Sequence, residues 1–266
     1  MDKDTKYKAK LLTYTYPFMR IMGEEEIKLV GRKEELSLLE ESFYKRRMKN
    51  TLLVGPAGSG KTAIVEQFAK NVKDRYIIMS LDLSGMMAGT NLRGQFEEKV
   101  FNCFKDIIDF NIKYNDIIVL FIDEIHMIYK LGQCIEGDTS TLGNMMKPYL
   151  VSPHVSVIGA TTLDEYKETI LRDKALNRRL SPVLIKPLED KTNLKILDNF
   201  AEKTVGIDLL EYILAESNSI PNSQNPDIAI EILDRCLARR DYQKKEIDKK
   251  MVDNVIKYVK ELQEEM

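Results

Sequence analysis

A glycine-rich segment has the residue types and spacing of a phosphate-binding loop. Residues 55–62 read GPAGSGKT and fit the pattern G-x-x-x-x-G-K-[ST], directly after an apolar run and at the start of a helix-like segment. Glycines let backbone N–H groups turn inward around an anion, and a helix N-terminus adds partial positive charge. Lys61 can then reach the outer phosphates of a nucleotide, and the Thr62 hydroxyl can bind Mg²⁺.

This loop predicts binding of a nucleoside triphosphate, ATP or GTP, together with Mg²⁺. An incidental glycine turn before a helix is the less favoured alternative, because strand, loop and helix follow one another in the required order. The residues predicted to contact the nucleotide here are Gly55, Pro56, Ala57, Gly58, Ser59, Gly60, Lys61, Thr62 and Ala63.

Two adjacent acids follow a second apolar run. Asp123 and Glu124 come directly after Ile117–Ile122, and acids in this position would lie at the carboxyl edge of a parallel sheet, where ligands bind. There Asp123 can hold Mg²⁺ and Glu124 can activate the attacking water. The pair alone could equally be a helix N-cap. Beside an intact phosphate loop, the catalytic interpretation is favoured, and Glu124 predicts hydrolysis.

The elements that must position these residues alternate between strand-like and helix-like segments. Strands are predicted at 51–55, 76–83, 117–123 and 155–162, and helices at 62–72 and 95–110. The alternation is typical of an α/β fold with a parallel sheet sandwiched by helices. After 182–188 the strand signals end and helical spacing continues to the end of the chain.

Three regions are therefore predicted. Residues 28–188 form an α/β nucleotide-binding domain, and residues 189–266 form a small all-helical domain. Residues 1–27 form an extension of unknown role. The aromatic cluster in this extension could dock a partner or pack against the core; it consists of Tyr14, Tyr16, Pro17 and Phe18.

Composition is that of a globular protein. Hydrophobic residues make up 44% and charged residues 31%, and 40 Lys plus Arg against 42 Asp plus Glu give a net charge of -2. This balance gives no general indication of nucleic acid or an anionic membrane, so a nucleic-acid partner is possible but not indicated. No apolar run approaches the roughly 20 residues of a membrane span. Without a signal-peptide pattern, we expect a cytoplasmic protein that does not bind membranes.

Three scattered cysteines and two histidines predict reduced thiols and no cysteine- or histidine-based metal site. Two basic clusters, Lys45–Lys49 and Arg239–Lys250, are favoured as solvated helix faces over nucleic-acid surfaces, since no interleaved aromatic residues support base stacking.

Longer stretches resemble the first AAA+ module of the Clp unfoldases. Residues 29–69 are similar to that module's IGR-x-x-E, RR-x-KN and GKTAIVE segments, and residues 121–150 resemble its acidic strand and the helix ending in N-x-x-KP. VIGATTLDEYKETILRDKALNRRLSPVLI (157–185) resembles its sensor 1 and arginine-finger segment, and NPDIAIEILD (225–234) its lid signature. The resemblance covers about residues 28–240 in unbroken order.

The resemblance implies a P-loop ATPase of the AAA+ class that acts as a homo-oligomer, most often a hexameric ring, on a protein substrate or adaptor. Val30 and Gly31 would lie near the adenine, Asp227 would start the lid helix near the nucleotide, and Thr162 would be the sensor 1 residue. Arg178 and Arg179 would be arginine fingers that reach a neighbouring subunit, a contribution worth about 10³ to 10⁵ in rate. Taken alone, the two arginines would be surface charges.

The resemblance has one departure and one limit. Asn91 and Leu92 stand where the family's first pore loop has a substrate-gripping Lys-Tyr pair, which puts polypeptide threading in doubt. The second ATPase module, which carries the peptidase-docking loop in the family, has no counterpart here, so we expect no Clp-type peptidase partner. An ATP-driven remodeller of a protein partner is the first hypothesis; a nucleotide switch or loader that acts on DNA through a partner, or an assembly scaffold with low turnover, are the alternatives.

Overall fold

The computed structural model describes residues 1–24, 28–45, 50–88, 93–130, 142–221 and 223–265. They form two compact units. The α/β unit comprises Met1–Ile27, Glu34–Val54 and Lys61–Leu184; the helical unit comprises Lys28–Lys33, Gly55–Gly60 and Ile185–Met266. The domain boundaries given above, at residues 28 and 189, stay a prediction.

A mostly parallel sheet forms the centre of the α/β unit. Its strands are β1 (Met19–Ile21), β2 (Thr51–Val54), β3 (Ile77–Leu81), β4 (Ile118–Ile122), β5 (Ser156–Thr161) and β6 (Ser181–Leu184). They lie side by side in the order β1-β3-β4-β5-β2-β6. Every neighbouring pair is parallel except β1 and β3, which are antiparallel with Arg20 opposite Ser80. The predicted α/β class is confirmed.

Helices accompany these strands in the α/β unit. They are α1 (Lys3–Thr15), α2 (Lys33–Ser42), α3 (Lys61–Val72), α4 (Leu83–Met87), α5 (Arg93–Tyr114), α6 (Met127–Lys130), α7 (Leu142–Leu150), α8 (Leu163–Glu168) and α9 (Lys174–Asn177). The helix predicted at 62–72 is confirmed as α3. The helix predicted at 95–110 is longer at both ends, as α5. At its C-terminal end, the polar Asn111 interrupts the apolar period, but its buried amide bonds the backbone of Ile118.

The central strands are buried along their whole length because both faces of the sheet are covered. Every residue of β2, β4 and β5 is buried. Phe104 and Ile107 of α5 belong to the same buried cluster as Leu120 and Ile122 of β4. Each such side chain contributes roughly 1.5–3 kcal/mol by leaving water, so the strand ends are held on a rigid base.

The aromatic cluster of the N-terminal extension divides into packed and exposed members. Tyr16 and Phe18 are buried in the core of the α/β unit, and the Tyr16 hydroxyl donates to Asp106 Oδ2 at 2.7 Å. Tyr14 is 71% exposed. Packing against the core therefore describes Tyr16 and Phe18, which directly precede and lead into β1.

Helices make up the regular structure of the helical unit. They are α10 (Asp190–Phe200), α11 (Ile207–Ser217), α12 (Asp227–Gln243) and α13 (Lys249–Glu265). Their apolar faces share one buried cluster that includes Leu197, Leu210, Leu233 and Val255. Among the described residues of the chain, no helix combines the length and apolar character needed to cross a membrane.

Candidate active site

The first turn of α3 and the end of β4 meet in the α/β unit. Strand β5 lies between β2 and β4, and because all three are parallel, their carboxyl ends share one edge of the sheet. Asp123 follows the last residue of β4, and the Thr62 hydroxyl donates a hydrogen bond to Asp123 Oδ2 at 2.8 Å. The two residues predicted to bind Mg²⁺ therefore place their side-chain oxygen atoms next to each other.

Lys61 is a buried cation beside the same acids, at 6% exposure. Burial lowers the pKa of Lys61, and the negative charges of Glu124, Asp123 and Glu165 oppose that shift. Interactions between charges strengthen where water is excluded. Lys61 is thus held as a poorly hydrated cation, a state suited to binding a phosphate oxygen. Ala63 follows in the same turn and is half-buried.

Glu124 has an unusual backbone conformation. Its φ is 47°, in the left-handed region that residues other than glycine seldom adopt and that is enriched at functional sites. The Glu124 N–H donates to Asp123 Oδ1 at 3.0 Å, and its carboxylate side chain is 47% exposed. The turn after β4 therefore separates the two acids: Asp123 bonds Thr62, while Glu124 has a partly accessible carboxylate.

The sequence-based predictions did not include two further residues of this site, His126 and Glu165. His126 contacts Glu124 directly, and Glu165 contacts His126. His126 Nδ1 lies 3.3 Å from Glu124 Oε2, and His126 Nε2 lies 3.1 Å from Glu165 Oε1. The His126 side chain is 4% exposed, so these carboxylates are among the groups that satisfy its ring nitrogens inside the protein. A capping-box pattern, T-x-x-E at 162–165, could have indicated Glu165; no local pattern indicates its contact with His126.

Glu165 also joins the predicted sensor residue to this set. Thr162 is the N-cap of α8; its hydroxyl donates to Glu165 Oε2 at 2.8 Å, and a capping box is complete. The preceding Thr161 is fully buried, with Oγ1 3.2 Å from His126 Nδ1. The role of Thr162 as sensor 1 stays a prediction, but the structure connects it to Glu124 through Glu165 and His126.

Arg178 and Arg179 lie elsewhere in the α/β unit, immediately after α9. Both are exposed. Arg178 Nε donates to the Lys174 carbonyl at 3.0 Å, and Arg179 donates to the Val151 carbonyl at 2.8 Å. Neither arginine has an ion pair with another residue in the part of the chain that the structure describes. Their role as arginine fingers stays a prediction.

The phosphate loop itself belongs to the helical unit up to Gly60. Gly58 and Gly60 have φ of 68° and 86°, the left-handed conformation that turns the backbone N–H groups of such loops. A Cβ on Gly58 would lie 2.4 Å from Asp227 Cβ, so only glycine permits this approach to the start of α12. Pro56, Ala57 and Ser59 complete the loop after Gly55.

Arg32 braces this loop within the helical unit. It is buried, and its guanidinium donates to the Ser59 carbonyl at 2.8 Å and to the Lys186 carbonyl at 2.7 Å. The preceding residues Val30 and Gly31 were predicted to lie near the adenine. Val30 is half-buried, and Gly31 has φ of 72° with Thr192 close to the position that a Cβ would occupy. Their contact with a base stays a prediction.

The predictions for thiols and metals have separate outcomes. Cys103 and Cys236 are free, as predicted, and both are buried; Cys134 lies outside the described residues. The expectation that the chain has no cysteine- or histidine-based metal site stays a prediction. One ligand atom from each of Glu124, His126 and Glu165 lies within 4.8 Å of the others, a set that could hold a metal ion. Their separation in the sequence, on either side of β5, concealed this grouping.

Other predictions fall on residues that the structure leaves undescribed. Asn91 and Leu92 of the predicted pore loop lie outside the described ranges, as do four of the five residues of the basic cluster at 45–49.

Fold and site together define a P-loop nucleotide-binding protein, and a family match makes the class specific. The family described as "ATPase family associated with various cellular activities (AAA)" matches residues 51–183. The chain belongs to this family. The match runs from the first residue of β2 to β6 and so includes the phosphate loop, Asp123, Glu124 and both arginines.

Individual relatives place the chain near the Clp proteins. It is 35% identical over 227 residues to "Chaperone protein ClpB" of Dichelobacter nodosus, covering 79% of this chain and 26% of that protein. It is 36% identical over 239 residues to "ATP-dependent Clp protease ATP-binding subunit ClpL" of Staphylococcus aureus (strain USA300), covering 83% and 33%. The chain thus spans about a third or less of the length of these relatives. The resemblance to Clp unfoldases is confirmed.

Two solved structures of Hsp104 are similar to the chain in fold. The "S. cerevisiae Hsp104-ADP complex" matches with a TM-score of 0.77 at 25% identity, over 91% of this chain and 44% of that one. A "Closed State CryoEM Reconstruction of Hsp104:ATPyS and FITC casein" matches with a TM-score of 0.74 at 26% identity, over 92% and 46%.

Proposed function

We propose that this chain binds ATP with Mg²⁺, hydrolyses it as part of an oligomeric ring, and uses the cycle to remodel a protein partner. The observation that carries the proposal is the hydrogen bond between Thr62 and Asp123, with Glu124 next in the chain. It joins the end of the phosphate loop to the acids of β4, the pairing that nucleotide hydrolysis in P-loop proteins requires.

The residues at this point fit a magnesium ion. Mg²⁺ prefers hard oxygen ligands and is bound with one or two carboxylates and substrate phosphates. Thr62 Oγ1 and Asp123 Oδ2 supply a hydroxyl and a carboxylate, and they are already adjacent. When bound, the ion would neutralise charge on the phosphates.

The chain's own residues would divide the remaining work. Lys61 and the backbone N–H groups of 55–60 would bind the phosphates, while Val30, Gly31 and Asp227 would contribute to nucleotide binding. Glu124 would accept a proton from the attacking water at its carboxylate, and Thr162 would help to orient that water. Arg178 and Arg179 would stabilise charge on the phosphoryl group in a neighbouring subunit.

Remodelling of a protein is favoured over the other hypotheses because of the relatives. A ClpB protein is described as a chaperone, and one matched Hsp104 structure contains casein. The net charge of -2 adds no support for a direct contact with DNA. We therefore propose a ring, hexameric in the simplest case, that takes a protein substrate or a protein adaptor.

Two measurements test this proposal on the purified chain. Binding of a fluorescent ATP analogue with Mg²⁺ is expected for the wild type, and Lys61→Ala should weaken it strongly because the buried cation is lost. Steady-state ATP hydrolysis should rise with protein concentration and be stimulated by unfolded casein. Stimulation by DNA with a steep salt dependence, or ATP-dependent assembly without turnover, would contradict the remodelling role.

A further inference from the structure

His126 is a buried histidine whose two ring nitrogens face two carboxylates. Nδ1 lies 3.3 Å from Glu124 Oε2, and Nε2 lies 3.1 Å from Glu165 Oε1. A neutral imidazole has one N–H and can donate to one of these carboxylates, whereas an imidazolium has two and can link both acids in a fixed orientation. Thr161 Oγ1, 3.2 Å from Nδ1, is a further partner of the same nitrogen. The His126 side chain is 4% exposed, so the ring is enclosed by protein.

Glu165 and Glu124 differ in their hydrogen bonds and in their exposure to solvent. Glu165 is anchored by α8, because its Oε2 accepts hydrogen bonds from the Thr162 hydroxyl at 2.8 Å and from the Thr162 N–H at 3.3 Å. Glu124 is in the left-handed turn after β4, with a side chain that is 47% exposed. A contact from a buried ring to one carboxylate oxygen narrows the orientations that a partly exposed glutamate can adopt, and so helps to align the carboxylate for proton transfer.

We infer that His126 is a positioning residue that holds the Glu124 carboxylate for hydrolysis, and that Glu165 fixes His126 in turn. Glu165 also bonds Thr162, so the same two residues couple the predicted sensor at the end of β5 to the predicted base at the end of β4. The inference rests on the proposed hydrolysis of ATP. It assigns no contact with nucleotide to either His126 or Glu165.

A kinetic test separates positioning from nucleotide binding. His126→Leu should lower kcat by about 10- to 100-fold, the size of loss expected when a reacting group is misplaced by about 1 Å. Affinity for the fluorescent ATP analogue should change less than twofold. His126→Asn keeps an amide donor near the Nδ1 position and should recover part of the loss. His154→Gln, the change at the second histidine, is the matched control and should retain wild-type turnover.

Glu165→Gln provides a variant that is not expected to disturb folding. Glutamine preserves the capping box of α8, which accepts either Glu or Gln at this position, but it replaces the charged partner of His126. Its kcat should fall less than that of His126→Leu, with unchanged affinity. Glu165→Ala also removes the capping box and should therefore lower the melting temperature. Comparing its kcat with that of Glu165→Gln shows how much of the loss in kcat comes from lost stability.

Imidazole NMR tests the contact directly, without nucleotide. The chain has two histidines, so His154→Gln leaves one set of ring ¹⁵N signals, which belongs to His126. With the His126 signals assigned in this way, the chain that keeps both histidines is compared with its variants. Glu124→Gln and Glu165→Gln should each shift the His126 signals, while the His154 signals, governed by its contact with Asp116, should not move. His126 signals that ignore Glu124→Gln would overturn the inference.

The kinetic outcomes distinguish this inference from the proposed function. Normal turnover in the wild type together with unchanged kcat in His126→Leu and Glu165→Gln would overturn the inference alone. Equal losses of kcat and nucleotide affinity would also overturn it, because they would indicate a general structural role. A folded wild type that binds no ATP and never hydrolyses it would overturn both.

Discussion

The carboxyl edge of the sheet and the segment after α9 both carry charged residues predicted for hydrolysis, but their charges are held in different ways. At the sheet edge, Asp123 bonds Thr62, and Glu124 lies against His126, which contacts Glu165. After α9, Arg178 and Arg179 are exposed and bond backbone carbonyls. The first region is a network of side chains; the second is a pair of cations held by main chain.

This difference indicates what one chain supplies by itself. A network whose members bond one another is already ordered, which is the property that lets fixed charges act without rearrangement. Within the described part of the chain, neither arginine is paired with an acid, and a guanidinium of this kind is suited to bind an anion that another molecule presents. We therefore expect the sheet edge to work in cis and the arginines in trans.

Removal of both arginines should have the largest effect. Arg178→Ala combined with Arg179→Ala is expected to lower ATP turnover by about 10³ to 10⁵, the usual value of an arginine finger. Affinity for the fluorescent ATP analogue should remain, because nucleotide binding is assigned to other residues. Steady-state ATPase assays and analogue titration check this. Wild-type turnover in the double variant would show that both arginines are surface charges, and would contradict their proposed action in trans.

Glu124→Gln should have the next largest effect. Loss of a general base lowers turnover by about 10² to 10⁴, while the phosphate loop still binds ATP. The variant should therefore retain ATP and assemble, as followed by light scattering or native mass measurement with ATP. An assembly defect in Glu124→Gln, with turnover unchanged, would show that the sheet edge is structural rather than catalytic.

Substitution of Asp173 tests whether the N-cap of α9 matters for the arginines that follow this helix. It caps α9 by accepting from the N–H groups of Ala175 and Leu176, and Lys147 bonds its carboxylate at 2.6 Å. Asp173→Ala should lower the free energy of unfolding by about 1 kcal/mol, the typical value of a lost cap. Turnover should fall much less than in the arginine double variant. Thermal unfolding beside ATPase assays measures both; undiminished stability would contradict the capping role.

The same carboxylate predicts a pH dependence of stability. Burial alone would raise the pKa of Asp173, but bonds from Lys147 and from the α9 backbone outweigh burial and lower it from 3.8. A depressed pKa means that the stabilisation is present above the ordinary value and is lost as pH falls through the folded value. Wild type and Asp173→Ala should therefore converge in stability below about pH 4. A constant difference down to the lowest pH would contradict this.

The smallest expected effect concerns the cysteines, which belong to neither region. Burial raises the pKa of Cys103 to about 12 and that of Cys236 to about 11. Thiolate is the reactive form, so neither should react with a maleimide at pH 7 until the chain unfolds. Peptide mapping by mass spectrometry after labelling checks this. Fast labelling of Cys103 in the folded protein would show that the core of the α/β unit opens.

Local patterns predicted the parts of the site that are contiguous in the chain. The phosphate loop, α3 and the acids after β4 each follow from a short segment with its own periodicity. The β1 strand was missed because a three-residue strand carries no alternation, and its pairing with β3 is a long-range event. His126 and Glu165 were missed for a related reason: they meet because β4 and β5 are neighbours in the sheet, which no residue pattern near either one encodes.

Mixing two inactive variants tests the central claim, that hydrolysis needs Glu124 from one subunit and the arginines from another. Glu124→Gln and the Arg178/Arg179 double alanine variant are each expected to be inactive alone. In mixed rings, about a quarter of interfaces would join an intact Glu124 to an intact arginine pair, if subunits combine at random in equal amounts. The account predicts that mixing restores ATP turnover. Turnover that stays at the level of the separate variants, in samples shown to exchange subunits, would contradict it.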